Sequence, residues 1–151
     1  MLVGSGRRTL EVVADPAIMG ELRLDPARQL IGAQCSGALV LAKLGLLGGQ
    51  PVCTDTMTRP HAIDAGLGVL DQPFHAVGNV ATAGGCLGSH YLAAWVIARA
   101  AGREEAERIV HYVAPVGEKD AWTLRAMAAI GPYLEQGNLE QESGGIGRRR
   151  A

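Results

Sequence analysis

The apolar positions change period along the chain, and each change marks an element. Residues 29–33 hold a short apolar run, Leu30-Ile31-Gly32-Ala33, flanked by polar residues, which is the pattern of a buried strand. Residues 36–47 then carry Leu39, Val40, Ala42, Lys43, Leu46 and Leu47 on mixed faces, as expected of a helix packed on a sheet; Gly48-Gly49 ends it. Upstream, Asp15-Pro16 offers a capping acceptor and a first-turn proline, so a helix starts there and runs through residues 17–22. Downstream, residues 51–54 predict a strand, and residues 59–65 a short helix stopped by Gly66. Residues 73–77 and 80–83, separated by Gly78-Asn79, read as a hairpin or two sequential strands.

Three helices close the pattern. The first spans 87–101 and breaks at Gly102; the second, amphipathic, spans 103–114 with Glu104, Glu105 and Glu107 near its positive end; the third spans 118–134. From Gly137 a Gly-rich stretch leads to Arg148-Arg149-Arg150, a flexible, solvated tail. Strands alternating with helices indicate an α/β sandwich with a mostly parallel sheet. No repeat of 20–50 residues is visible. One element is odd. Leu2-Val3, ahead of Gly4-Ser5-Gly6, makes a first strand too short for a normal sheet strand, so the expectation is a chain lacking preceding sequence or carrying a vestigial strand.

Composition narrows the class. A chain of 151 residues fits one domain, and a formal charge of −1 argues against a nucleic-acid binder. Aromatic content of 4% leaves the core to Ala, Leu, Val and Ile. Cys35, Cys53 and Cys86 show no C-x-x-C and no paired spacing, so neither a metal site nor a disulfide framework is expected, and reduced cytoplasmic thiols are. No apolar stretch reaches the roughly 18 residues of a membrane span.

One thiol stands apart. Cys35 falls where the strand pattern stops and the helix pattern starts, a corner that lifts its side chain off the backbone and aims the first helix N–H groups at whatever it attacks. A G-x-S-x-G turn gives serine hydrolases the same geometry. Cys53 and Cys86 read as structural, although Cys86, after a glycine pair, lies where it could approach the site. His75 and His111 read as structural or surface residues, and His61 as a residue without a role.

The run Ala33-Gln34-Cys35-Ser36-Gly37-Ala38-Leu39, followed by Gly45-Leu46-Leu47-Gly48-Gly49, resembles the ThiJ/PfpI family of glutamine-amidotransferase-like proteins. Gly78-Asn79-Val80-Ala81-Thr82-Ala83-Gly84-Gly85 and Asp15-Pro16-Ala17 match further family segments, and the elbow is most similar to the isonitrile hydratase-like branch. The resemblance covers about residues 2–114 and implies a flavodoxin-like three-layer α/β/α sandwich without the family's N-terminal strands. Residues 1–136 would be the C-terminal two-thirds of that fold, with 137–151 as the tail. It further implies Cys35 as nucleophile, with backbone N–H groups of Ser36 and Gly6 as an oxyanion hole and with Ser5, Asp55 and His90 as substrate-pocket candidates. No cofactor or metal is implied, and a homodimer is.

Departures matter too. The family's acidic residue beside the cysteine has no counterpart here; Asp55 stands where many relatives carry His, and His90 stands near where the hydratase branch carries an acid. The expected function is a cysteine-dependent enzyme acting on a small electrophilic substrate, by isonitrile hydration or by hydrolysis of an amide or adduct. The alternatives are an oxidation-sensing or chaperone-like protein using Cys35, and an inactive fragment of a longer protein.

Overall fold

The computed structural model describes residues 1–4 and 6–134; Ser5 and the tail expected from residue 137 lie outside the described residues. In chain order the elements are β1 (Leu2–Val3), α1 (Thr9–Ala14), α2 (Pro16–Glu21), β2 (Ile31–Gln34), α3 (Gly37–Lys43), α4 (Arg59–Asp64), β3 (Phe74–Val77), β4 (Val80–Ala83), α5 (Ser89–Ala101), α6 (Arg103–Val113) and α7 (Lys119–Ile130). Short 3-10 turns occupy Cys86–Gly88 and Gly131–Tyr133.

The strands form one sheet in the order β1-β2-β4-β3. β1, β2 and β4 run parallel, with Val3 opposite Ala33 and Gln34 opposite Ala83; β3 is antiparallel to β4. Strand alternation sorts the core into two layers. Ile31, Ala33 and Val80 face Ala38, Leu41, Leu47 and Val52 on one side. Phe74, Ala76, Ala81 and Ala83 face Leu92, Trp95, Val110, Met127 and Ile130 from α5, α6 and α7 on the other. The result is an α/β/α sandwich with a mostly parallel sheet, the class the sequence pattern indicates. Trp95 is fully buried and packs on Phe74 with ring centroids 6.1 Å apart. Burying such a ring stabilises the fold by on the order of 3 kcal/mol. Gly32 lets α5 approach the sheet, since a Cβ there would lie 2.9 Å from Leu92 Cδ2.

Several boundaries differ from the sequence expectation. The strand expected over 51–54 is reduced to a single parallel bridge, Val52 to Val69. Pro51 has no N–H to give, and the Cys53 N–H donates to the buried Thr82 hydroxyl (2.9 Å), not to a ladder carbonyl. The helix expected over 36–47 stops at Lys43, because the chain turns through Gly45 at φ +70°. α1 was not expected at all: its N-cap, Arg8, makes no side-chain capping bond. α2 begins as expected, with Asp15 accepting from the N–H groups of Ala17 (2.8 Å) and Ile18 (3.3 Å).

Candidate active site

The turn between β2 and α3 is built around one unusual backbone angle. Cys35 has φ +49°, and among the described residues no other non-glycine has a positive φ. A left-handed conformation costs an L-residue with a Cβ about 1–2 kcal/mol, so the surroundings must enforce it. Three bonds do so: Cys35 N–H donates to Ala83 O (2.9 Å), and Cys35 O accepts from Ala38 N–H (3.2 Å) and Thr54 Oγ1 (2.9 Å). The first extends the β2–β4 pairing one residue past the strand ends. Two residues on, Gly37 permits a close crossing, since a Cβ there would sit 2.5 Å from Val3 O. The cysteine is therefore held on a sharp strand-to-helix corner, 3% exposed. Behind it begins α3, whose Ala38 and Leu39 N–H groups donate to Cys35 O (3.2 Å) and Ser36 O (3.0 Å) and so close the corner onto the helix.

Ser36, the N-cap of α3, is fixed from α1. Thr9 Oγ1 donates to Gly6 O (2.9 Å), and the Gly6 N–H donates to Thr9 Oγ1 (3.2 Å). With the Thr9 proton spent on Gly6, the Ser36 hydroxyl donates to Thr9 Oγ1 at 2.8 Å. This knot corrects one expectation. The Gly6 N–H already has an acceptor in Thr9, so it does not stand open as half of an oxyanion hole.

A cleft of about 590 Å³ opens in front of the corner and brings together Cys35, Ser36, Gly6, Asp55, His61 and Cys86. Asp55 is there as expected, but its carboxylate is occupied. Thr58 Oγ1 donates to Asp55 Oδ2 (2.6 Å), and the Met57 and Thr58 N–H groups donate to Oδ1 (3.0 Å each). Burial works to raise its pKa, yet these bonds outweigh burial and hold the carboxyl below its ordinary value. Asp55 is thus an ionised turn cap.

His90 does not join the cleft. It lies in a separate groove of about 300 Å³ with Trp122, Val110 and Val113. Its Nδ1–H donates to Leu87 O, and its ring stacks 4.9 Å from Trp122. Burial lowers its pKa, with a nearby Arg125 adding to the effect against the opposing Leu87 bond. The 3-10 turn Cys86–Gly88 precedes α5 and leaves His90 facing α6 and α7. Ser5 lies outside the described residues. Conversely, Thr9 and His61 line the cleft without a role expected from the sequence, and Cys86, which the sequence puts where it could approach the site, lines it too. The spacing of Leu10, Val13 and Ala14 could have revealed α1, and with it Thr9.

The other thiols differ sharply. Cys53 has no exposed surface, and burial pushes its pKa up to about 11, against weaker opposing bonds from Thr82 and Gln72. It is inert at neutral pH. Cys86 is exposed. Among the described residues no cluster of three or more His, Cys, Asp or Glu could hold a metal, and no helix is long and apolar enough to cross a membrane.

No protein-family model matches the sequence, and no curated protein sequence is significantly similar to it. Solved structures are similar in fold. A ThiJ/PfpI family protein from Pseudomonas syringae superposes with a TM-score of 0.60 at 19% identity, covering 86% of this chain and 64% of its own. DJ-1beta from Drosophila melanogaster gives 0.61 at 20% identity, over 74% of this chain and 62% of its own. A mutant DJ-1 superfamily protein from Salmonella typhimurium gives 0.59 at 22% identity, over 74% and 62%. The chain thus spans less than two-thirds of the length of each. These likenesses do not distinguish the isonitrile hydratase-like branch. The likeness is one of fold, a mostly parallel sheet between helices: the chain has the fold of the DJ-1/ThiJ/PfpI proteins.

Proposed function

We propose that the protein is a cysteine-dependent enzyme of the ThiJ/PfpI type that acts on a small electrophilic substrate through Cys35. The observation that carries this reading is the left-handed backbone of Cys35 at the wall of the 590 Å³ cleft. Strain of this kind persists only where the surroundings hold it, and it concentrates at functional sites. In the proposed reaction the Cys35 sulfur adds to the electrophilic carbon of an isonitrile, an amide or a carbonyl adduct. The Ser36 N–H, at the start of α3, donates to the charge that develops. An isonitrile gives a thioimidate directly, whereas an amide or adduct gives a thioester once its C–N bond breaks and the amine leaves with a proton. Water then cleaves the C–S bond and restores the thiol. His61, which lines the same cleft, is the candidate to carry protons in either step.

The test is turnover of a panel of small alkyl isonitriles and short amides by the wild type and Cys35→Ala. A substrate of this class should lose on the order of 10³-fold or more in kcat on removal of the thiol. Wild-type turnover in Cys35→Ala would overturn the reading.

A second reading has its own support. It takes Cys35 as an oxidation-sensing thiol, supported by its place with Cys86 on the wall of one open cleft. Under either reading we propose a homodimer, supported by the exposed apolar side chains of Leu2 on the edge strand, Leu10 on α1 and Ile18 on α2.

A further inference from the structure

Two thiols share the cleft, and the chain holds them there from both sides. β2 and β4 run in parallel register with Gln34 opposite Ala83. Cys35 follows the end of one strand, and Cys86 lies three residues beyond the end of the other. The loop bearing Cys86 is tied to β2 by the Gln34 side chain, whose Nε2 donates to Gly85 O (3.2 Å) and to Cys86 O (2.7 Å). Its base is fixed by Gly84, whose missing Cβ would otherwise meet Thr54 O at 2.5 Å. Gly85, at φ +77° with open space around its Cβ position, is the pivot between this anchor and Cys86.

We propose that Cys86 is the resolving thiol for Cys35: a hydroperoxide that oxidises Cys35 leads to a Cys35–Cys86 disulfide across the cleft. This rests on the reading of Cys35 as a reactive thiol. In the first step the Cys35 thiolate attacks the terminal oxygen of the hydroperoxide. The O–O bond breaks, an alcohol or water leaves, and Cys35 becomes a sulfenic acid, two electrons having passed to the peroxide. In the second step the Cys86 sulfur attacks the Cys35 sulfur. The S–O bond breaks, and hydroxide leaves as water with the proton from Cys86. A dithiol reductant restores both thiols. Cys53 is excluded as the partner because it is fully buried and its thiol stays protonated at neutral pH. Exposure of Cys86 matters in the return step, since a reductant must reach one of the two sulfurs.

The experiment treats wild type, Cys86→Ser and Cys35→Ser with one equivalent of hydrogen peroxide, then maps all three cysteines by mass spectrometry without reduction, with dimedone as the sulfenate trap. The wild type should lose two hydrogens in an intramolecular Cys35–Cys86 link that dithiothreitol reverses. Cys86→Ser should instead accumulate about tenfold more dimedone adduct or sulfinic acid on Cys35. If Cys35 oxidises but Cys86 stays fully alkylatable, with equal trapping in wild type and Cys86→Ser, the resolving role is wrong while the reactive-thiol reading stands. If Cys35 reacts no faster than Cys86 does in Cys35→Ser, both fail. A Cys86–Cys86 link between molecules would likewise overturn the proposal.

Discussion

Adding one methyl group at two glycines should move stability in opposite directions. Gly20 and Gly37 both lie in helices, α2 and α3, so Gly→Ala should gain up to about 1 kcal/mol at either from helix propensity alone. At Gly20 a new Cβ meets nothing within 4 Å, so the gain is kept. At Gly37 the same Cβ would lie 2.5 Å from Val3 O and 3.1 Å from Gly4 O, both backbone atoms. Carbon and carbonyl oxygen ordinarily approach to about 3.3–3.6 Å, so the two chains must part by close to an ångström. Neither partner is a side chain that can swing away, and overpacking of this kind costs about 1–3 kcal/mol. The clash therefore outweighs propensity, and Gly37→Ala should lose about 1–2 kcal/mol while Gly20→Ala gains a few tenths to 1. Thermal unfolding followed by tryptophan fluorescence reads this as melting shifts of opposite sign, about 4 °C per kcal/mol. A Gly37→Ala protein as stable as the wild type would refute the close crossing of β1 and α3, and with it the account of how the corner is held.

Three further outcomes are expected. Thr58→Val removes the 2.6 Å bond to Asp55 and should cost about 1 kcal/mol in urea unfolding at neutral pH. The lost bond favours the ionised carboxyl, whose folded pKa lies below 3.8; the difference from wild type should therefore persist at neutral pH and fade only as pH falls through that folded value. His75, whose pKa burial holds below 6.5, stays neutral in the fold while the unfolded chain takes up protons, so stability should drop as pH falls below about 6.5. His75→Gln should flatten that part of the profile, and an unchanged slope would count against burial as the cause. Finally, the thiol of Cys53, with its pKa near 11, should resist iodoacetamide in the folded protein at pH 8 and react only on unfolding. Fast native-state labelling at Cys53 would contradict its burial.

The sheet was largely legible where short-range chemistry decides it. Gly78-Asn79 marks the hairpin because a two-residue connection needs positive φ at its first central position, and Gly78 has φ +56°. The Cys35 corner was legible because the change of period falls on that residue. Where tertiary bonds overrule local pattern, the sequence misleads. Residues 51–54 have strand composition, yet Thr82 takes the N–H that a ladder would need. His90 sits at a helix start, as a pocket residue would, but Trp122 and the Leu87 carbonyl claim its ring. The glycine pair before Cys86 signals its approach to the cleft, but the Gln34 bond that holds it there spans 52 residues and has no local signature.

The long reach between β2 and β4 also sets an order of assembly. β3 and β4 meet through a two-residue turn, pinned by Arg99 to Gly78 O (2.8 Å) and Asn79 Oδ1 (2.7 Å), so this hairpin can form locally and early. β2 must then find β4 across nearly fifty residues, from Ile31 to Val80. Only when it does can the Cys35 N–H reach Ala83 O and lock the left-handed backbone. The strained corner is therefore a late product of folding: a chain caught before that step carries Cys35 in relaxed backbone, without the geometry that singles it out.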